Sequence, residues 1–253
     1  MSFLKSLRSE ILKTKRTAPL YFTLAAAAFA PFMSILDVLL DGVETDNRKD
    51  IFNDMLINKF QMTGLVALPI FLILACTLLS QIEYKNNTWK QVLTSPQSKG
   101  NVFLAKFINV QLLIGVFFII NLLLMFLCTV VLHFIDPSLE VLNQPLNGYK
   151  VLMTRVNTYI AVLAICSVQF WLGLKFKNFI TPVAIGIACW FAGTILVMKN
   201  IGFAAYFPHS FHAYGRFPRY DPLANPVGWT SLVYAVLFLL IGLLDFRKRR
   251  MNG

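Results

Sequence analysis

Residues whose types could carry chemistry are few in this 253-residue chain. His209 and His212 lie three apart, a spacing that can set two side chains on one helical face, as some metal ligands are. A zinc or copper centre needs further ligands at hand, and no such set stands beside them, so no metal site is expected. Asp37, Asp41, Asp46, Asp50 and Asp54 are interleaved with Arg48 and Lys49 and read as a solvated turn rather than a catalytic acid pair. No His-Glu-x-x-His or Gly-x-Ser-x-Gly occurs. Nor is there a Gly-x-x-x-x-Gly-Lys-Ser/Thr loop, so the usual phosphate cradle for ATP is missing and no cofactor is expected on this chain. Cys76, Cys128, Cys166 and Cys189 show no close pairing and no metal-ligand spacing, and read as small apolar packing residues.

The elements that must position such residues are membrane spans. The chain is 57% hydrophobic and 14% charged, with a mean hydropathy of +0.64, far from the usage of a soluble domain. About 20 apolar helical residues cross a hydrocarbon layer of roughly 30 Å. Six stretches qualify: 18–40, 62–82, 107–133, 156–174, 179–198 and 227–244. Their length and unbroken apolar character predict helices rather than the short alternating strands of a membrane barrel. Polar residues inside them include Asn109, Gln111 and Asn121 on the third, and Asn157, Thr158, Ser167 and Gln169 on the fourth. Interhelical hydrogen bonding is their plain role. Asn121, Asn157 and Gln169 are the candidates to line a path. No span centre carries a charge, which argues against a proton- or ion-driven transporter.

Orientation follows the lysines and arginines. Fifteen of 23 fall on the side shared by both termini, against three of 12 acids. Cytoplasmic loops retain positive charge, so both ends are expected inside. The basic residues border apolar spans and form no soluble basic domain, which favours anionic lipid headgroups over nucleic acid as their partner. The chain divides into an amphipathic segment 1–17, a six-span region 18–246 and a basic tail 247–253.

In the first segment Phe3, Leu4, Leu7 and Ile11 recur at helical spacing while Lys5, Arg8 and Lys15 point elsewhere, as in a helix lying on the inner membrane surface. Between the second and third spans runs Glu83-Tyr-Lys-Asn-Asn-Thr-Trp-Lys-Gln-Val-Leu-Thr-Ser-Pro96. Thr88 can cap a short helix through Trp89, Val92 and Leu93 that Pro96 stops. Such a helix offers an aromatic and aliphatic face for docking.

These features together, an opening Leu7-Arg-Ser-Glu10-Ile-Leu-Lys13, Glu83 closing the second span, Asn87-Thr88-Trp89-Lys90 leading to Leu93-Thr94-Ser95-Pro96, and Lys106 at the entry of the third span, resemble the permease subunits of type-2 ABC exporters. The resemblance is to the lantibiotic-immunity and bacitracin-resistance kind, whose members often carry Gly where this chain has Asn87. It implies an all-α integral membrane protein with six spans, an N-terminal interface helix and a cytoplasmic coupling helix between spans two and three. The coupling helix would sit in a groove of a separate ATP-binding subunit, with Glu83, Tyr84, Thr88, Trp89, Lys90 and Pro96 at the contact and Leu7, Glu10 and Ile11 on the interface helix. The resemblance further implies a bacterial plasma membrane location, a second permease subunit, ATP and Mg on the partner ATPase, and export of an amphipathic or peptide-like substrate, or resistance to one.

Residues 201–226 are unusually aromatic for a loop, with Tyr206 and Phe207 flanking His209 and His212, and read as a re-entrant or interfacial hairpin. Two other classes share the six-span plan: a polytopic membrane enzyme, and a non-transporting anchor or regulatory subunit of a motility or secretion complex.

Overall fold

The computed structural model describes residues 3–41, 50–94, 97–137, 140–214 and 227–248. Among these there is no strand, and six helices are long and apolar enough to cross a membrane. A helix α1 (Phe3–Thr14) precedes the first of them, α2 (Ala18–Asp41). A short α3 (Ile51–Asn53), a π-helical stretch Asp54–Lys59 and α4 (Phe60–Leu65) then lead into α5 (Ala67–Lys85). The short α6 (Trp89–Thr94) precedes α7 (Lys99–Ile135), and α8 (Gly148–Lys175), α9 (Ile180–Met198) and α10 (Val227–Lys248) complete the set.

All six expected spans are present, with three differences of extent. α7 has 37 residues and is therefore about 55 Å long, well beyond a hydrocarbon layer of roughly 30 Å. It begins at Lys99, whose turn is capped by Ser98: the Asn101 N–H donates to Ser98 Oγ at 3.2 Å. α8 starts eight residues earlier than the expected 156, and so takes in Arg155, which is buried. Arg155 lies near the start of α8 and not at its centre, so no charge is added to a span centre. The second span is broken at Val66 (φ −120°, ψ −64°), dividing α4 from α5.

In the expected solvated turn Asp37 and Asp50 are exposed, but the apolar residues that follow are not. Ile51, Phe52, Met55, Leu56, Ile57 and Phe60 are all buried, and the first five pack with Met125, Leu132, Val141 and Val151. Their helical spacing makes an apolar face despite the neighbouring Asp50 and Asp54. Asp46 lies outside the described residues.

The bundle is organised around α5 and α8, with α10 on α8 and α2 on α7 and α5. Gly173 lets α8 pass close to α5: a Cβ there would lie 3.0 Å from the Cys76 carbonyl oxygen and 3.1 Å from Ser80 Oγ. A small residue at this point lets the two backbones approach. The crossing also brings Cys76 Sγ to 3.9 Å from Cys166 Sγ, so these thiols are close in space although 90 positions apart in sequence. Phe71 stacks on Phe117 at 5.0 Å, and Phe103 meets Phe170 edge-on at 5.2 Å. Phe29, Phe32, Ile119, Leu123, Phe191 and Leu240 point outward, the apolar exterior a bilayer requires.

One end of the bundle gathers distant parts of the chain. Ser6 Oγ of α1 donates to Gln97 Oε1 at 2.9 Å, and Lys99 Nζ donates to the Arg247 carbonyl at 3.1 Å. The start of α7 thus meets both α1 and the last turn of α10.

Candidate functional site

Four ionic side chains converge at this end. Glu10 and Lys13 share one face of α1, Glu83 stands in the last turn of α5, and Lys106 in the second turn of α7. Lys106 Nζ donates to Glu10 Oε2 at 2.8 Å and makes a short hydrogen bond to Glu83 Oε1. Lys13 Nζ donates to Glu10 Oε1 at 2.6 Å and to Glu83 Oε1 at 3.2 Å. The side chains of Lys106 and Glu83 are 2% and 1% exposed, so the pair is sealed from water. Two carboxylates and two ammoniums leave the cluster neutral, as burial demands.

Burial raises the pKa of Glu10, but Lys106 and Lys13 outweigh it and hold the carboxyl below its ordinary value. Burial likewise lowers that of Lys13, and Glu10 followed by Glu83 reverses this, so the ammonium is held above its ordinary value. Around the ions, Asn109 Nδ2 donates to Thr14 Oγ1 at 2.5 Å and to the Glu10 carbonyl at 3.3 Å. α1 therefore docks through a polar stripe, Ser6, Glu10 and Thr14, one turn apart and all buried. Its apolar side chains face away: Ile11 and Leu4 are exposed and Leu7 half-buried. Desolvating four charges offsets most of their mutual attraction, so the cluster contributes register between α1, α5 and α7 more than net stability.

The segment following Glu83 turns back over the cluster. Asn87 adopts a left-handed conformation (φ 53°), the conformation for which a glycine is often used. The Thr88 N–H donates to the Glu83 carbonyl at 3.0 Å, and the Val92 N–H to the Thr88 carbonyl at 3.0 Å, starting α6. The Trp89 ring lies 5.2 Å from Tyr84, 5.8 Å from Phe246 of α10, and under Lys106 Nζ at 5.7 Å. Tyr84 OH donates to the Leu174 carbonyl at the end of α8 at 2.8 Å. Tyr84 and Trp89 thus face the bundle, while Gln91 and Thr94 are exposed on α6. Lys90 is helical in backbone, and Pro96 lies outside the described residues.

A model of the ABC-2 family of transporter proteins matches residues 6–193. This chain belongs to that family. The matched stretch contains all four ions of the cluster and all of α6. No curated protein matches the chain. ABC-2 proteins are transport membrane subunits that normally work with an ATP-binding subunit.

Elsewhere in this ABC-2 permease the candidate residues are not brought together. Asn121 is fully buried, its Nδ2 donating to the Ala27 carbonyl of α2 at 3.0 Å. Gln169, also fully buried, ties α8 to Thr77 Oγ1 at 3.1 Å and to the Pro182 carbonyl at 2.8 Å. Asn157 alone of the three is exposed. The described part of the aromatic segment is two short 3-10 turns, Gly202–Tyr206 and Pro208–Ala213, packed on α8, α9 and α10. Tyr206 is exposed, its carbonyl accepting from Tyr234 OH at 2.9 Å, and Phe207 stacks on Phe203. His209 and His212 are buried, not presented on an open face, and His212 Nε2 lies 3.3 Å from Thr194 Oγ1. Burial lowers the pKa of His209 to about 4 and, with His209 beside it, that of His212 to about 3. Among the described residues no three metal-ligating side chains cluster.

The sequence reading missed Lys13, Lys106 and Asn109 as partners of Glu10 and Glu83. A signal was present: opposite charges at the end of one span and the start of the next, together with a polar stripe four residues apart on α1.

Proposed function

We propose that this ABC-2 chain is the permease subunit of an ATP-driven exporter whose separate ATP-binding subunit docks at the α1 end of the bundle. α6 and the exposed side of α1 form the docking surface there, and the buried ions carry the ATPase's movement into the spans. The observation that supports this best is the Glu10, Lys13, Glu83 and Lys106 cluster, which joins α1, α5 and α7 directly behind α6. A rigid displacement of α6 or α1 cannot occur without moving two spans. Tyr84 and Trp89 extend the same linkage to α8 and α10.

On this reading the α1 end faces the cytoplasm, in keeping with fifteen of 23 lysines and arginines on that side. The basic face of α1 rests on anionic headgroups. The histidine and aromatic turns close the outer mouth, and a second permease subunit completes a path past the exposed Asn157. ATP and Mg are held by the partner. Resemblance to the lantibiotic-immunity and bacitracin-resistance permeases makes an amphipathic or peptide-like substrate, and resistance to it, the activity to test, in a bacterial plasma membrane. Affinity purification of the tagged chain from native membranes is expected to bring down an ATP-binding cassette protein. Its absence, from a preparation that retains the folded chain, would remove the basis of this reading.

A further inference from the structure

Among the described residues, Arg155 is the one buried charged side chain that the coupling role leaves unused. It lies seven residues into α8, on the end of the bundle opposite α1, and its residue exposure is 7%. Its Nη1 donates to the Leu56 carbonyl at 3.0 Å and to the Val151 carbonyl at 3.2 Å. The Phe60 ring covers one face of the guanidinium, its centroid 4.5 Å from Cζ. Nε and Nη2 are both buried and have no hydrogen-bond partner among the described residues. Arg155 forms no ion pair with any described residue.

A buried guanidinium that lacks a counter-charge is costly, and a membrane bundle keeps such a group where it has a use. The unsatisfied edge is informative. Nε–H and Nη2–H point the same way and form the fork that grips two oxygens of one oxyanion. The depth is informative too. Arg155 lies about 10 Å along a helix about 42 Å long, so in a hydrocarbon layer of roughly 30 Å it sits near the headgroup boundary, where phosphates reside. Its cover includes the π-helical stretch Asp54–Lys59, which supplies the Leu56 carbonyl; such wide turns recur at functional sites because their hydrogen bonding rearranges at low cost.

We propose that the Nε and Nη2 edge of Arg155 is a binding site for a phosphate group at the membrane surface opposite α1, carried by a lipid headgroup or free, and that the 54–59 stretch shifts to admit it. This stands independently of the exporter reading, because it needs neither the ATPase nor the coupling cluster.

The test uses the full chain, purified and delipidated, with thermal unfolding followed in the presence of phosphatidylglycerol, of inorganic phosphate at matched ionic strength, or of diacylglycerol as a phosphate-free control. Wild-type Tm is expected to rise by about 3 °C or more with a phosphate source and not with diacylglycerol. A rise with phosphatidylglycerol alone identifies a headgroup, and a rise with inorganic phosphate as well identifies a free anion. Most of the shift is expected to be lost in Arg155→Met and to persist in Lys199→Gln, whose side chain is exposed at the end of α9. If Arg155→Met does not fold, Arg155→Lys, which keeps the charge without the fork, is expected to need at least about threefold more phosphate for half the shift. No wild-type response, or an undiminished response in the Arg155 variant, would overturn the proposal. So would recovery of Arg155→Met stability by Asp46→Asn, since the counter-charge would then be the chain's own.

Discussion

Asn87 shows how one residue governs the approach to α6. Its φ of 53° lies where a Cβ is strained and Asn is tolerated better than most residues. Asn87→Gly is expected to keep or slightly raise stability, whereas Asn87→Val costs about 1–2 kcal/mol, both read from thermal unfolding of the purified chain. The histidines make a second prediction at this scale. Their folded pKa values, about 4 and about 3, lie below the ordinary 6.5. The neutral forms therefore stabilise the 3-10 turns fully above pH 6.5, and this contribution is lost as pH falls through that value towards 4 and 3. Hydrogen-exchange protection of residues 202–213 should weaken over that window, and the slope should shrink in His209→Gln. A flat profile from pH 7 to 4 would contradict the burial argument. Glu10 has the same sign: its depressed pKa gives stability present above about 4.5 and lost as pH falls below it.

Helices were legible in this sequence to the extent that apolar length alone defines them. The six spans follow from the run of hydrophobic residues needed to cross a bilayer, and α1 from the spacing of Leu4, Leu7 and Ile11. What α1 packs against was not legible, because hydropathy marks its apolar face and the contact is made by Ser6, Glu10 and Thr14. Residues 51–61 were hidden for the opposite reason: Asp50, Asp54 and Lys59 interrupt an apolar pattern that burial nonetheless follows. Arg155 fell outside the fourth span because the apolar run starts one residue later, while the helix extends further. Cys76 and Cys166 meet only because Gly173 draws α5 and α8 together, a contact that spacing along one chain cannot reveal. The cluster that binds α1 to α5 and α7 predicts a specific pattern. Lys106→Met leaves two carboxylates facing one ammonium and should cost about 3–5 kcal/mol. Adding Glu83→Gln should recover part of that loss, because it removes the uncompensated buried charge. Unfolding of the two single variants and the double variant in detergent measures the coupling; strict additivity would mean that the ions act separately.

At the scale of the whole molecule, the fold collects at one end everything that an external motor could push: α1, α6, the start of α7 and the last turns of α5, α8 and α10. The opposite end holds the packed 51–65 segment, Arg155 and the histidine turns. Nothing in the sequence links these ends except the spans themselves, and α7, at about 55 Å, reaches furthest. Membership of the ABC-2 family gives this polarity its meaning, because such membrane subunits normally work with an ATP-binding partner. On the proposed reading the ion cluster is a rigid joint between the docking surface and the spans. Glu83→Gln in the purified permease and ATPase complex, reconstituted in lipid vesicles, tests that joint most directly through substrate-stimulated ATP hydrolysis. The complex should still assemble and keep its basal hydrolysis, while stimulation by substrate falls at least about tenfold, a coupling loss of about 1.4 kcal/mol. Stimulation equal to wild type in a folded, assembled Glu83→Gln complex would show that the cluster does not carry the coupling.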